Sequence, residues 1–150
     1  MKNMFLILSI FFMTTRCSEE ETKQQENLIY GNWKLTSFVN QSTNNTLVES
    51  DFSDSNQITI NFKYNKSFAG STIRNSFLGN YSTEMNKNKL NFTNLSTTKV
   101  NETEWGNLFY NSLNMGYNQQ DTNWEFTYEI QNNTLKIYYD NQEYMTFEKL

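Results

Sequence analysis

Histidine is missing from this 150-residue chain, proline is missing too, cysteine occurs once, and there are only five glycines. Without histidine, no serine or cysteine can be activated by an imidazole base, and the side chain most used to hold zinc or copper is gone. With Cys17 as the only thiol, no disulfide can close within the chain in an oxidising compartment. Catalysis on carboxylates alone needs a close acid pair in a cleft, and no motif or spacing here places one. The sequence therefore reads as a protein that is not an enzyme and takes no cofactor or metal.

What is there begins with an address. Lys2 precedes an apolar run from Met4 to Met13 that is too short to cross a bilayer as a mature helix and reads as the core of a signal peptide. Cys17 follows in "TTRCSEEE" and resembles the cysteine that is acylated in bacterial lipoproteins before the signal peptidase cuts ahead of it. Arg16 departs from the small residue usual at the preceding position. The next ten residues, "SEEETKQQEN", contain nothing apolar and cannot pack. They read as a tether. Their acidic patch resembles the surface-export signal of some Gram-negative lipoproteins, and a plain solvated linker fits the composition equally well. The expected division is residues 1–16 as signal peptide, 17–27 as lipid-anchored acidic tether and 28–150 as a single domain.

Loss of residues 1–16 removes Lys2 and Arg16 and leaves ten basic and sixteen acidic side chains, a net of −6. That speaks against nucleic acid and against anionic lipid as partners, since both need clustered Lys and Arg.

From Leu28 the chain turns aromatic, β-branched and Asn-rich, and alternation dominates. "NWKLTSFV" sets Trp33 and Leu35 on one face and Lys34, Thr36 and Phe38 on the other. "ITINFKY" sets Ile58, Ile60, Phe62 and Tyr64 inward. The same period recurs in "WEFTYEI" (Trp124, Phe126, Tyr128, Ile130) and "LKIYYD" (Leu135, Ile137, Tyr139). "QNNT" between those two offers an Asn pair that tolerates positive φ in a tight turn, and "NKN" (86–88) and "DNQ" (140–142) supply further turns. One segment breaks the period. In "NETEWGNLFYNSLNMG", Trp105, Leu108, Phe109 and Leu113 recur at helical spacing, Asn101 and Glu104 resemble a capping box, and Gly116 is placed as a stop. The expectation is a mainly β (α+β) fold: an antiparallel, strongly curved or barrel-like sheet, with one helix over roughly 102–114 packing Trp105 and Phe109 against it.

In "FAGSTIRNSFLGNYS" (68–82), Gly70 and Gly79 bracket Asn75 and Phe77, and Tyr81 follows. Glycines within strand patterns mark close backbone approaches, an Asn amide can tie down loop backbone, and Phe77 and Tyr81 return to one face. The stretch reads as scaffold in preference to a ligand loop.

The order of these features resembles the META domain family, small bacterial domains that are often secreted or lipid-anchored, over about residues 28–150. The residues carrying the resemblance are Gly31 and Trp33 of an opening Gly-x-Trp, then Gly70, Asn75, Phe77, Gly79 and Tyr81, then Thr98, followed by the helix and the closing strands. The family implies no reaction. Many of its members carry a bridged cysteine pair at the positions held here by Arg74 and Glu102. Either the two positions remain neighbours and form an ion pair, or both have drifted to polar residues independently.

Other candidates are weaker. Glu49, Asp51 and Asp54 offer oxygen donors but lack the glycine and terminal glutamate of an EF-hand loop, and read as a solvated acidic loop. Phe38, Tyr138 and Tyr144 are expected to face outward as surface aromatics. Function narrows to two classes: a non-enzymatic, monomeric outer-membrane lipoprotein, held to the membrane by its N-terminal lipid and serving as a stress-related module or one that binds an envelope or surface protein, or a lipocalin-like carrier of a small ligand. Barrel fill discriminates between them, because a carrier needs small inward residues, and here the inward positions are Trp, Phe, Tyr, Ile and Leu.

Overall fold

The computed structural model describes residues 28–54 and 56–150; the expected signal peptide, Cys17 and the tether lie outside the described residues. Among the described residues, ten strands and the helix α1 follow in the order β1 (Gly31–Asn40), β2 (Asn45–Val48), β3 (Thr59–Phe62), β4 (Ser67–Ser71), β5 (Ser76–Glu84), β6 (Lys89–Thr97), α1 (Glu104–Met115), β7 (Tyr117–Asn118), β8 (Asn123–Gln131), β9 (Thr134–Tyr138) and β10 (Glu143–Lys149). All pairings are antiparallel, and the sheet closes where β10 returns to β1, from Trp33 opposite Lys149 to Asn40 opposite Glu143. Eight strands, β1, β3, β4, β5, β6, β8, β9 and β10, form the barrel, while β2 and β7 extend its wall from β1 and β8.

Short Asn-rich turns make the hairpins. Asn88 and Asn132 take φ of 52° and 55°, which asparagine tolerates better than most residues. Gly31 opens β1 at φ 118°, a conformation that an L side chain rarely adopts. Two residues on, Trp33 is fully buried and donates its indole N–H to the Ile29 carbonyl at 2.7 Å, which closes the barrel end where the chain enters.

Alternation correctly places most inward residues, and β1 shows where it fails. Its pairing with β10 slips between Leu35 and Ser37. A bulge of this kind inserts one residue and inverts the phase after it. Phe38 therefore points inward, 5% exposed, and meets Trp105 edge to face at 4.8 Å. The expectation that Phe38 is a surface aromatic is corrected on that ground. Tyr64 is corrected in the opposite sense. It lies beyond the end of β3 and is 76% exposed.

The interior is a continuous stack of rings. Tyr81 meets Phe62 at 4.9 Å, Phe68 meets Phe92 at 4.5 Å, and Phe92 meets Phe126 at 5.3 Å. Phe77 joins the stack to α1 through Phe109 at 5.1 Å. Each such ring contributes on the order of 2–3 kcal/mol by leaving water. The helix therefore covers one rim of the barrel, where β1 ends, β5 begins and β9 ends, with Trp105, Phe109 and Leu113 buried. It starts two residues later than expected, and Thr103, not Asn101, caps it by accepting from the Gly106 N–H at 3.2 Å. Gly116 follows the helix at φ −80°, so the glycine is not needed for a left-handed stop. It is needed for space, because a Cβ there would stand 2.3 Å from the Phe126 ring.

Candidate functional site

The stretch 68–82 and the segment entering α1 come together at the helix rim, and there the structure gathers most of the sequence-predicted site residues. β4 and β5 form a hairpin in which Phe68 lies opposite Gly79 and Gly70 opposite Phe77. Each aromatic ring covers the glycine across from it. A Cβ on Gly70 would meet the Phe77 ring and the Thr59 carbonyl, both at 2.3 Å, and one on Gly79 would meet the Phe68 ring at 2.8 Å. Two exchanged Gly–Phe pairs thus let both rings lie flat across the wall and fill the interior. Phe77 and Tyr81 are 2% and 3% exposed, and the Tyr81 hydroxyl donates to the Lys63 carbonyl at 2.9 Å.

The turn between these strands is held by side chains. Asn75 is buried. Its amide nitrogen donates to the Val100 carbonyl and to the Glu102 carboxylate, both at 2.8 Å, and its amide oxygen accepts from the Val100 N–H at 2.8 Å and the Thr98 hydroxyl at 3.0 Å. Thr98 in turn accepts from the Ser76 N–H at 3.0 Å. Glu102 also accepts from the Thr72 hydroxyl and from the Thr103 N–H. Gly106 makes this possible, since a Cβ there would sit 2.3 Å from Glu102 Cγ and Cδ. The carboxylate lies over the first turn of α1, where the helix dipole favours negative charge. Burial works to raise its pKa, but the hydrogen bonds from Thr72, Asn75 and Thr103 outweigh that and hold it below the usual carboxylate range.

The expected Arg74–Glu102 ion pair is corrected here. Among the described residues no such pair forms. Arg74 donates to the Asn101 carbonyl at 3.2 Å from an exposed position, while Glu102 turns away to the donors of the 72–75 turn. The two positions do flank one junction. The turn and the helix entrance are joined by a carboxylate hydrogen-bonded to Thr72 and Asn75 on either side of Arg74.

This junction is a scaffold clasp, fully occupied by its own bonds. Open space lies elsewhere, on the outside of the barrel. A groove of about 270 Å³ runs between α1 and the rim, lined by Leu47, Leu108, Asn111, Met115 and Glu143 among others. A wider cleft of about 560 Å³ lies where β7 and β9 leave a gap along β8, with Glu125, Tyr138, Tyr139 and Asp140 around it. Tyr138 stacks on Tyr144 at 4.9 Å and donates to Glu129 at 3.0 Å; burial and that carboxylate push its phenol up to about 12. In the acidic loop, Glu49 pairs with Lys34 at 3.2 Å, and Asp51 accepts from the Val48 N–H at 2.8 Å. Sequence reasoning missed Thr72, Thr103 and Gly106. Hydroxyls and a glycine near a helix start were visible, but the partner they serve, Glu102, is identified only by its orientation.

No family model matches the chain, and no curated protein matches it. Solved structures do. A protein from Burkholderia xenovorans, determined by NMR, superposes with a TM-score of 0.60 at 17% identity, covering 85% of this chain and 87% of its own. A DUF4847 family protein from Bacteroides vulgatus gives a TM-score of 0.57 at 17% identity, covering 83% of this chain and 96% of its own. At that identity the likeness is one of fold, and the fold shared over most of each chain is the one built above from these residues.

Proposed function

We propose that this chain is a non-enzymatic envelope lipoprotein, anchored through Cys17, whose META-like barrel binds another envelope component with its outer surface. The observation that supports this reading over an internal carrier is the filled interior: Trp33, Phe62, Phe68, Phe92 and Phe147 are each at most 2% exposed and occupy the space that a ligand would need. Grooves of about 270 and 560 Å³ lie beside α1 and along β8. One detail favours the carrier. The Tyr128 hydroxyl is buried with no hydrogen-bond partner among the described residues, and an orphaned donor is what a polar ligand or water would satisfy.

Titration with a fluorescent fatty acid separates the two. The interaction module gives no saturable binding, whereas stoichiometric binding at micromolar concentration, abolished in Tyr128→Phe, would establish the carrier. The anchor is tested separately by labelled fatty acid, which is incorporated in the wild type and lost in Cys17→Ala. Equal labelling of the two refutes it.

A further inference from the structure

Antiparallel closure sends alternate connections to opposite rims, and the charges divide with them. The rim at which the chain enters is built from residues 28–31, 63–66, 85–88, 132–133 and 149–150. With its flanking strand ends it carries Lys63, Lys66, Lys87, Lys89 and Lys149 against Glu84 and Glu148. The helix rim carries seven carboxylates, Asp51, Glu104 and Glu143 among them, against Arg74 and Lys99. On the wall between, Lys34 pairs with Glu49 at 3.2 Å, Lys136 lies opposite Glu129, and Glu125 lies 3.9 Å from Lys89 of the entry rim. A net negative domain is thus polarised along its barrel axis, with the positive end where the chain leads back to Cys17.

We propose that this entry rim docks on the anionic headgroups of a bilayer. The proposal rests on the reading that the chain is anchored at Cys17, which turns the entry rim toward the membrane and the acidic rim, with α1 and its groove, away from it. Lysines close to an anionic surface are attracted over roughly a Debye length. The rim also offers groups suited to the interface: Tyr64 is 76%, Leu28 44% and Leu150 69% exposed. Lys149 donates to the Leu28 carbonyl at 3.1 Å, and Lys66 donates to the Tyr30 hydroxyl at 3.3 Å, so cations and tyrosines share one edge. Apolar exposure alone does not distinguish the rims, since Val100 and Met115 are 57% and 54% exposed at the other. Charge does. The competing occupant is the acidic run itself, with Glu19, Glu20, Glu21 and Glu26 against Lys23.

The test uses residues 17–150 with Cys17→Ser, which contain the whole closed barrel and carry no acyl chain. The protein is sedimented with vesicles of pure phosphatidylcholine or of a phosphatidylcholine–phosphatidylglycerol mixture at low salt. It is expected to bind the mixed vesicles, to release at high salt, and to lose about fivefold or more in partitioning with Lys63→Glu. Lys99→Glu, the same charge change at the opposite rim, leaves partitioning unchanged. Equal partitioning to both vesicles, no binding at all, or an equal loss from Lys99→Glu overturns the proposal. So does binding that appears only when Glu19, Glu20 and Glu21 are changed to Gln, for then the acidic run occupies the rim. Failure of the Cys17 anchor is read from fatty-acid labelling and leaves this measurement standing.

Discussion

Replacing Glu102 tests whether one carboxylate joins the hairpin to the helix. In the native structure it accepts from Thr72, from Asn75 at 2.8 Å and from the Thr103 N–H at 2.9 Å. A hydrogen bond to a charged acceptor contributes about 1.5–3 kcal/mol. Two of the donors keep a second acceptor: Asn75 has the Val100 carbonyl at 2.8 Å, and Thr72 has the Asn75 carbonyl at 3.2 Å. Glu102→Ala therefore costs about 2–3 kcal/mol at neutral pH, a fall of about 10 °C in Tm for a domain of this size. The pH dependence is more specific. The pKa of Glu102 is lowered in the folded state, so its contribution is complete above the unfolded value of about 4.3 and is lost as pH falls through the lower folded value. Glu102→Gln keeps the shape without the charge. The stability gap between wild type and Glu102→Gln, measured by urea melts, is expected to be full at pH 7 and to close progressively as pH falls below the unfolded value of about 4.3. A gap that persists undiminished into acid, or Glu102→Ala within about 0.5 kcal/mol of wild type, refutes the clasp.

Arg74→Ala, by contrast, removes one bond from an exposed side chain to the Asn101 carbonyl and should change stability by less than about 0.5 kcal/mol in the same melts. Trp105→Ala empties a site packed against Phe38 and Phe52 and should cost about 3–5 kcal/mol. Trp105→Phe keeps a ring and drops an indole N–H that has no partner among the described residues, so its melting midpoint should fall much less. Gly70→Ala drives a methyl against the Thr59 carbonyl and the Phe77 ring and should destabilise by about 3 kcal/mol, with an unchanged midpoint arguing against the exchanged Gly–Phe pairs.

Much of the fold was legible because its signals are local. Period-two runs marked β3, β8 and β9, and helical spacing marked α1 with Trp105 and Phe109 inward. Asn75 and the two glycines were read as chain-path residues; in the structure Asn75 bonds the Val100 backbone and a ring lies over each glycine. Phe38 was misread because a bulge inverts the phase of a strand without any mark in the alternation itself. Gly116 was misread because a glycine after a helix looks the same whether it supplies a left-handed turn or room for Phe126.

The sequence by itself determined the composition of the interior, the antiparallel pattern and the acidic balance, since each depends on residue type and near-neighbour spacing. Tertiary structure alone decided the rest. Closure of β10 on β1 converts a curved sheet into a filled barrel. The orientation of Glu102 turns an expected ion pair with Arg74 into a hydrogen-bonded junction. The sorting of lysines to one rim and carboxylates to the other arises because antiparallel strands return every second connection to the same end, bringing together charges that lie tens of residues apart in the chain.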